Sequence, residues 1–186
     1  GLGDVYKRQA VNRINLIMEE IDLKPEDRTV VTPAHAYSEK LESLSKESAA
    51  VIALELPSKK IITGRTTSLM EASASVILNA IKALAKIDDD IHLLSPIILE
   101  TIKNLKKNEM HMKDHMLDIR EVLLALAISA VTNPTAQCAY EKLVELEGTQ
   151  AHSTVMLSKA NEQSFRNLGI DITSAAAYPS EQLYYQ

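Results

Sequence analysis

The residues best suited to bind a ligand form a short polar segment that reads Thr63-Gly64-Arg65-Thr66-Thr67-Ser68. This segment follows an apolar, β-branched run and precedes a strong helical pattern, so it should lead from a strand into a helix. The amides and dipole at a helix N-terminus favour an anion, Arg65 adds a bidentate donor, and Gly64 would let the backbone approach a ligand. We therefore predict a phosphate-binding loop at 63–68. An ordinary helix cap, in which Ser68 and Glu71 form a capping box, is the alternative interpretation.

Two further residues could add to such a site. His152 lies in a strand-like segment and is a weak candidate for a general base. Ser153 would face the other side of that strand, so the two cannot act as a nucleophile–base pair, and a histidine satisfied within the sheet is the alternative. Asn133 could donate an amide hydrogen to a ligand, although a role as the N-cap of the helix that starts at Pro134 explains it almost fully.

No metal site or cofactor is indicated by the remaining reactive side chains. His111 and His115 could share a helix face, but the sequence offers no third ligand near them. Cys138 falls inside a predicted helix among apolar neighbours, which is typical of a small core residue.

The element that must position the candidate loop is a β-hairpin. Two apolar runs, 49–56 and 61–63, flank Pro57-Ser58-Lys59-Lys60, and proline presets the backbone for a turn. Helical spacing of apolar residues follows over 69–87. The unit is therefore a strand, a turn, a second strand, a polar loop and a helix.

The rest of the chain alternates between helical and strand-like patterns. Helices are predicted at 10–21, 33–44 (capped by Thr32), 96–107 (capped by Ser95), 118–131 (capped by Asp118 with Glu121), 134–146 and 161–168. Residues 30–31 are predicted to be an extended lead-in, with an early turn of the next helix, starting at Asp27, as the alternative. Short strands at 91–94, 149–157 and 170–173 complete the pattern. Because residues 122–131 are apolar on all sides, they predict the most buried helix of the fold. Together these elements predict an α/β fold: a small mixed sheet of four or five strands, begun by the hairpin, with helices packed on it.

Composition excludes several classes of protein. The chain has 186 residues, is 46% apolar and contains one Phe and no Trp, so its core must consist of Leu, Ile, Val, Ala and Met. A net charge of −5 without a basic run argues against a nucleic-acid surface, and no apolar run is long enough to span a membrane. A single cysteine excludes an internal disulfide and favours a cytosolic location.

Six segments carry, in order and spacing, a resemblance to a bacterial family, the domain of unknown function 1846, also called uncharacterised protein family 0371. The segments are Glu55-Leu56-Pro57, Ile62-Thr63-Gly64-Arg65-Thr66, His92-Leu93-Leu94-Ser95-Pro96, Ala127-Ile128-Ser129-Ala130, Thr132-Asn133-Pro134-Thr135-Ala136-Gln137 and Ala151-His152-Ser153-Thr154-Val155. The resemblance covers roughly residues 10–175 and corresponds to the C-terminal part of a longer protein. It implies a layered α/β fold loosely like that of deaminases and a Gly-rich N-terminal part. It brings no established activity.

This chain departs from the pattern of typical members at several positions. It has Thr149 and residues near Ser174 where they carry Cys, Asp118 where many carry His, and Arg65 where Lys is commoner.

These observations divide the chain into four parts. Residues 1–9 resemble translated adaptor sequence, 10–45 form a helical lead-in that packs against the missing N-terminal part, 46–175 form the α/β domain, and 176–186 form a loose tail. We expect one lobe of a cytosolic enzyme that binds a phosphorylated or nucleotide-like small molecule through residues 63–68 and Asn133. A non-catalytic binding or assembly module is the alternative, and a homo-oligomer is compatible with either.

Overall fold

A β-hairpin forms the centre of the fold, as predicted. The computed structural model describes residues 2–45 and 49–175. Strands β1 (Val51–Glu55) and β2 (Ile61–Arg65) pair antiparallel, from Val51 opposite Arg65 to Glu55 opposite Ile61. Lys59 adopts a left-handed conformation (φ 68°) in the turn, and its amide donates to the Leu56 carbonyl at 2.8 Å. All five residues of β1 are buried, so this strand rather than a helix is the centre of the core.

The sheet has four strands and is mixed, which confirms the predicted fold class. Strand β3 (Gln150–Ser153) pairs antiparallel with β1, and β4 (Asp171–Ser174) pairs parallel with β3. The order is β2-β1-β3-β4, so that β2 is an edge strand. The sequence predicted longer limits for β3, at 149–157, because Thr154 and the residues after it are also apolar or β-branched.

The described residues form seven α-helices in addition to this sheet. They are α1 (Leu2–Glu20), α2 (Val31–Ser45), α3 (Ala72–Leu84), α4 (Pro96–Asn104), α5 (Ile119–Ala130), α6 (Pro134–Tyr140) and α7 (Lys159–Asn167). A single π-helical stretch, Leu105–Glu109, extends α4, and a 3-10 segment, Glu141–Leu146, extends α6. None of the described helices is long and apolar enough to cross a membrane.

The two faces of the sheet have different character. On one face Val30 and Ala34 pack on Ala53 in a small cluster under α2. The other face holds the main core, in which Ile52 and Leu54 of β1 meet α3 and the helices behind it. Alternation along the strands assigns odd-numbered residues of β1 and β2 to the α2 face and even-numbered residues to the α3 face.

Gly64 lets α3 lie directly against β2. A Cβ atom at this position would stand 2.2 Å from the Val76 amide nitrogen and 2.6 Å from the Val76 Cα. These are backbone atoms, so a side chain cannot be accommodated by a rotamer change. The close approach that the sequence attributed to a ligand is therefore made by a helix.

Several predicted elements have other limits, each for a local reason. Residues 30–31 are not extended, since the Val31 amide donates to the Arg28 carbonyl (3.1 Å) and α2 begins at Val31, not at Pro33. Residues 91–94 form no strand. Leu93 and Leu94 are nevertheless both buried and belong to the main core.

Helix α5 is not the most buried element, and that prediction was wrong. Leu126 is fully buried, but Leu124 is 66% and Ile128 is 72% exposed. The helix presents one apolar face to the core and the other to solvent. The apolar residues on all sides of α5 therefore indicate a second apolar face that the described chain leaves uncovered, not complete burial.

Two predicted N-caps are confirmed. Asp118 accepts from the Glu121 amide at 3.0 Å while Glu121 accepts from the Asp118 amide at 2.9 Å, which forms a capping box. Asn133 accepts from the amides of Thr135 and Ala136 at the start of α6. Cys138 was predicted to be a core residue, but it lies on the outer side of α6 and is exposed.

The proposed contact with a preceding part of the protein stays a prediction. Apolar side chains of α1, among them Ile14, Leu16 and Ile17, are exposed, whereas Val31 and Ala34 of α2 are buried. The predicted tail, 176–186, lies outside the described residues.

Leu124 and Leu126 of α5 offer a matched test of its orientation. Leu126→Ala should lower the free energy of unfolding by about 2–5 kcal/mol, because it leaves a cavity in the core. Leu124→Ala removes the same atoms from an exposed site and should change it by less than about 0.5 kcal/mol. Urea unfolding of both variants measures the difference. Equal losses would show that the outer face of α5 is covered.

Candidate functional site

The polar loop after β2 is organised by Thr67 rather than by a helix N-terminus. The Thr67 hydroxyl accepts from the amides of Leu69 (3.3 Å) and Met70 (3.1 Å), and the Thr67 amide donates to the Met70 carbonyl (2.9 Å). Helix α3 begins only at Ala72, with Glu71 as its N-cap residue. The predicted capping box of Ser68 and Glu71 is therefore wrong, since Ser68 lies outside the helix.

A distant segment fixes this loop in place. The Leu117 amide donates to the Leu69 carbonyl, and the Glu71 amide donates to the Leu117 carbonyl, both at 3.0 Å. Together these bonds form a parallel bridge between Met70 and Leu117. Because most of the loop amides already have partners, the loop does not present the ring of free N–H groups that an amide-only phosphate cradle needs.

A cavity of about 300 Å³ lies beside the outer edge of β2, and we call it the edge cavity. Its lining includes Thr63, Gly64 and Arg65 of the predicted loop and a polar row on α3. That row consists of Ser75, Asn79 and Lys82, whose spacing of four and three residues puts them on one helix face. Strand β2 and helix α3, held together at Gly64, thus form two of its walls.

The edge of β2 offers backbone donors to this cavity. The Thr66 amide donates to the Ala50 carbonyl at 3.0 Å. Because backbone hydrogen bonding alternates along an antiparallel pair, the backbone groups of residues 64 and 66 face β1, while those of Thr63 and Arg65 face outward. The Asn79 side chain confirms this direction, since its amide nitrogen donates to the outward Thr63 carbonyl at 2.9 Å. The N–H groups of Thr63 and Arg65 therefore point away from the sheet on the cavity side.

The charge of the edge cavity is positive. Lys82 is only 9% exposed, and its ammonium group donates to the Asp89 backbone carbonyl at 2.7 Å. The exposed Arg65 guanidinium has no hydrogen-bond or ion-pair partner among the described residues. None of the described residues that line the cavity is acidic.

One buried hydroxyl in the cavity is unsatisfied. Ser75 is 8% exposed, and its Oγ has no hydrogen-bond partner in the described structure. An unpaired buried hydroxyl is costly, so such an atom marks a place where a polar ligand atom would be favourable.

A wider groove of about 730 Å³ adjoins the edge cavity along β2. The two share Tyr37, Thr63, Asn79 and Lys82 in their linings. The groove carries charges of both signs, from Lys60, Lys86, Asp88 and Asp89.

His152 lies on the α2 face of the sheet and does not line the edge cavity. Its Nδ1 and the Thr173 hydroxyl are 2.8 Å apart, and its ring lies 5.5 Å from that of His35. Burial, with the nearby His35 and Arg28, lowers the pKa of His152 to about 4, so the ring is neutral at pH 7. Its Nε2 is buried without a partner among the described residues.

The remaining predicted residues lie apart from one another. Asn133 sits between α5 and α6, where its side-chain oxygen is occupied by the helix cap, and it does not line the edge cavity. His111 is exposed, and His115 is half-buried near the Lys113 carbonyl. Within the described residues no group of three or more metal-ligating side chains was found.

Sequence reasoning missed the polar row of α3. Ser75, Asn79 and Lys82 recur at helical spacing within an otherwise apolar segment. A polar face on a helix that is otherwise apolar and covered on several sides indicates a cavity, and this pattern could have been found from the sequence.

Comparison with known proteins identifies relatives along nearly the whole chain. The model of the domain of unknown function DUF1846, C-terminal, matches residues 26–184. A UPF0371 protein of Clostridioides difficile strain 630 is 55% identical over 178 residues, which cover 95% of this chain and 36% of the relative. A UPF0371 protein of Clostridium tetani strain Massachusetts / E88 is 53% identical over 180 residues, which cover 96% of this chain and 36% of that relative. The chain thus spans about a third of the length of these relatives.

The lowered pKa of His152 predicts a loss of stability in acid. Unfolded His152 takes up a proton near its ordinary pKa of about 6.5, whereas the folded protein resists protonation down to about pH 4. The stabilisation is therefore complete above pH 6.5 and is lost as the pH falls towards 4, by about 3 kcal/mol. Replacement by Gln should flatten this part of the profile, measured by urea unfolding between pH 7 and 4.

The exposed His92 provides the control. His92→Gln should leave the dependence on pH unchanged. If His152→Gln and His92→Gln give the same slope as the unchanged protein, the ring of His152 is not the group that resists protonation.

Proposed function

Because the chain belongs to the DUF1846 family, we propose that it forms one lobe of a cytosolic enzyme that binds a phosphorylated or nucleotide-like small molecule in the edge cavity. One observation carries this proposal: two basic residues, the buried Lys82 and the exposed Arg65, line a cavity that has no acidic residue among those described.

A buried cation without a counter-charge is costly, and an anion in the cavity would offset that cost. Lys82 donates one of its three N–H groups to a carbonyl, which leaves two for a ligand. The guanidinium of Arg65 can hold two phosphate oxygens at once. The ligand group is therefore predicted to be a phosphate that is held between β2 and α3, not at the start of α3.

Neutral donors around the two cations would complete the binding of the phosphate. The outward N–H groups of Thr63 and Arg65 and the hydroxyl of Ser75 can each donate to a phosphate oxygen. Of the residues predicted to bind the ligand, Thr63, Gly64, Arg65 and Thr67 line the edge cavity. Thr66, Ser68 and Asn133 do not, so we assign them no contact with this phosphate.

The size of the cavity limits the ligand. A volume of about 300 Å³ is at the lower end of the range for small-molecule sites. It suits a phosphate with a few attached atoms, while a larger group such as a nucleoside would extend into the groove beside Tyr37.

A non-catalytic assembly module is the second candidate function. The observation in its favour is the outer face of α5, where Leu124, Ile128 and Val131 are 66–82% exposed. Exposed apolar patches of this kind mark contacts with other protein surfaces. The occupant we propose is the part of the longer family members that lies outside the matched region, since the relatives are far longer than this chain.

Titration with inorganic phosphate tests the proposed site. Arg65→Ala and Lys82→Met should each weaken phosphate binding about 10- to 100-fold, because a hydrogen bond to a charged group contributes about 1.5–3 kcal/mol. Binding is measured from the amide chemical shifts of Ser75 and Asn79 at constant ionic strength.

Arg166→Ala removes an exposed arginine from α7 and should leave the titration unchanged. Equal affinity in the unchanged protein, Arg65→Ala and Lys82→Met would exclude the edge cavity as an anion site. The assembly module would then be the better account of the chain.

A further inference from the structure

A second cavity, of about 190 Å³, lies on the other side of the loop that joins β2 to α3, and we call it the acidic cavity. Thr66 and Glu71 line it, whereas Thr67 and Met70 of the same loop line the edge cavity. Its charge is opposite to that of the edge cavity. Glu71 and Asp114 line it, and none of its described lining residues is basic.

Glu71 is the central charged group of this cavity. Its Oε2 accepts from the Ser73 hydroxyl at 3.2 Å and from the Asn161 side-chain amide in a shorter contact. Burial, together with Asp114 and Asp118, raises the pKa of Glu71, although the bonds from Asn161 and Ser73 oppose that rise. Burial and two neighbouring carboxylates therefore disfavour the charged form of Glu71, and no described residue of the cavity lining supplies a positive charge.

Asn161 contributes an unsatisfied acceptor to the same cavity. It is 3% exposed, and it lies 90 residues after Glu71 in the chain. Its amide nitrogen donates to Glu71, but its Oδ1 is buried and has no partner in the described structure. A purely structural link between α7 and the start of α3 would explain the hydrogen bond from the Asn161 amide nitrogen to Glu71. It would not explain why Asn161 Oδ1 is buried without a partner.

Both groups require a hydrogen-bond donor, and the carboxylates require a positive charge. We propose that the acidic cavity binds the ammonium group of a small primary amine. An ammonium group has three N–H donors and no acceptor, so it can donate to Asn161 Oδ1, to the Glu71 carboxylate and to Asp114. A quaternary ammonium has the charge but no donor and would leave the Asn161 oxygen unpaired.

This proposal does not depend on the phosphate site, because the two cavities share no described lining residue. Either cavity can bind its ligand when the other does not. If both do, the short loop 66–71 would stand between an anionic group and a cationic group, as in a ligand that carries both a phosphate and an amine.

Titration of the 186-residue chain with ethylammonium chloride, and in parallel with tetramethylammonium chloride at equal ionic strength, tests the proposal. Binding is followed from the amide chemical shifts of Ser73, Ser153 and Asn161. We expect a saturable response to ethylammonium that is at least about tenfold stronger than the response to tetramethylammonium. Equal responses, or none, would overturn the proposal without any variant.

Variants then locate the site. Glu71→Gln keeps the size of the side chain and should weaken ethylammonium binding at least about tenfold. Glu100→Gln makes the same change at an exposed carboxylate of α4 and should have no effect. Unchanged affinity in folded Glu71→Gln would also overturn the proposal.

Discussion

The contact between Gly64 and the backbone of Val76 is the constraint on which both cavities depend. It brings α3 against the edge strand β2 at a distance that no side chain at position 64 would permit. The row of Ser75, Asn79 and Lys82 follows directly along the same helix, so its position relative to Thr63 and Arg65 is set by this contact. Glu71 stands at the start of the same helix, where the hydrogen bonds between Leu117 and the preceding loop fix its first residues.

The short loop between β2 and α3 separates the charges of the site. Cationic and neutral donors line one side, and carboxylates with an unpaired acceptor line the other. Thr67 and Leu117 hold the backbone of this loop through four hydrogen bonds between 2.9 and 3.1 Å and two at 3.3 Å. Each side is therefore left to satisfy its charge with solvent or with a ligand.

What the sequence could predict was local. The hairpin follows from two β-branched runs and a proline turn, and the caps at Asp118 and Asn133 follow from residues three or fewer positions apart. Thr63 was placed correctly at the end of the second strand, whereas Arg65 was assigned to the loop and belongs to β2, which ends there. Each of these needs only the propensities of neighbouring residues.

What the sequence could not predict depends on long-range contacts. Helix α3 begins later than Ser68 because Leu117, nearly fifty residues away, holds the loop. The partnership of Glu71 with Asn161 spans 90 residues and has no local pattern. The outer face of α5 has the composition of a core, and only its exposure in the structure reveals that nothing in the described chain covers Leu124 and Ile128.

The most direct test of the central constraint compares two glycines. Gly64→Ala should lower the free energy of unfolding by about 3 kcal/mol or more, because the new Cβ meets backbone atoms that cannot move aside. Gly148→Ala is a matched control: position 148 has a φ of 78° but open space around a Cβ, so only about 1 kcal/mol of backbone strain is expected. Urea unfolding that gives the larger loss for Gly64→Ala would support the close approach of α3 to β2. Equal losses of about 1 kcal/mol or less would contradict it.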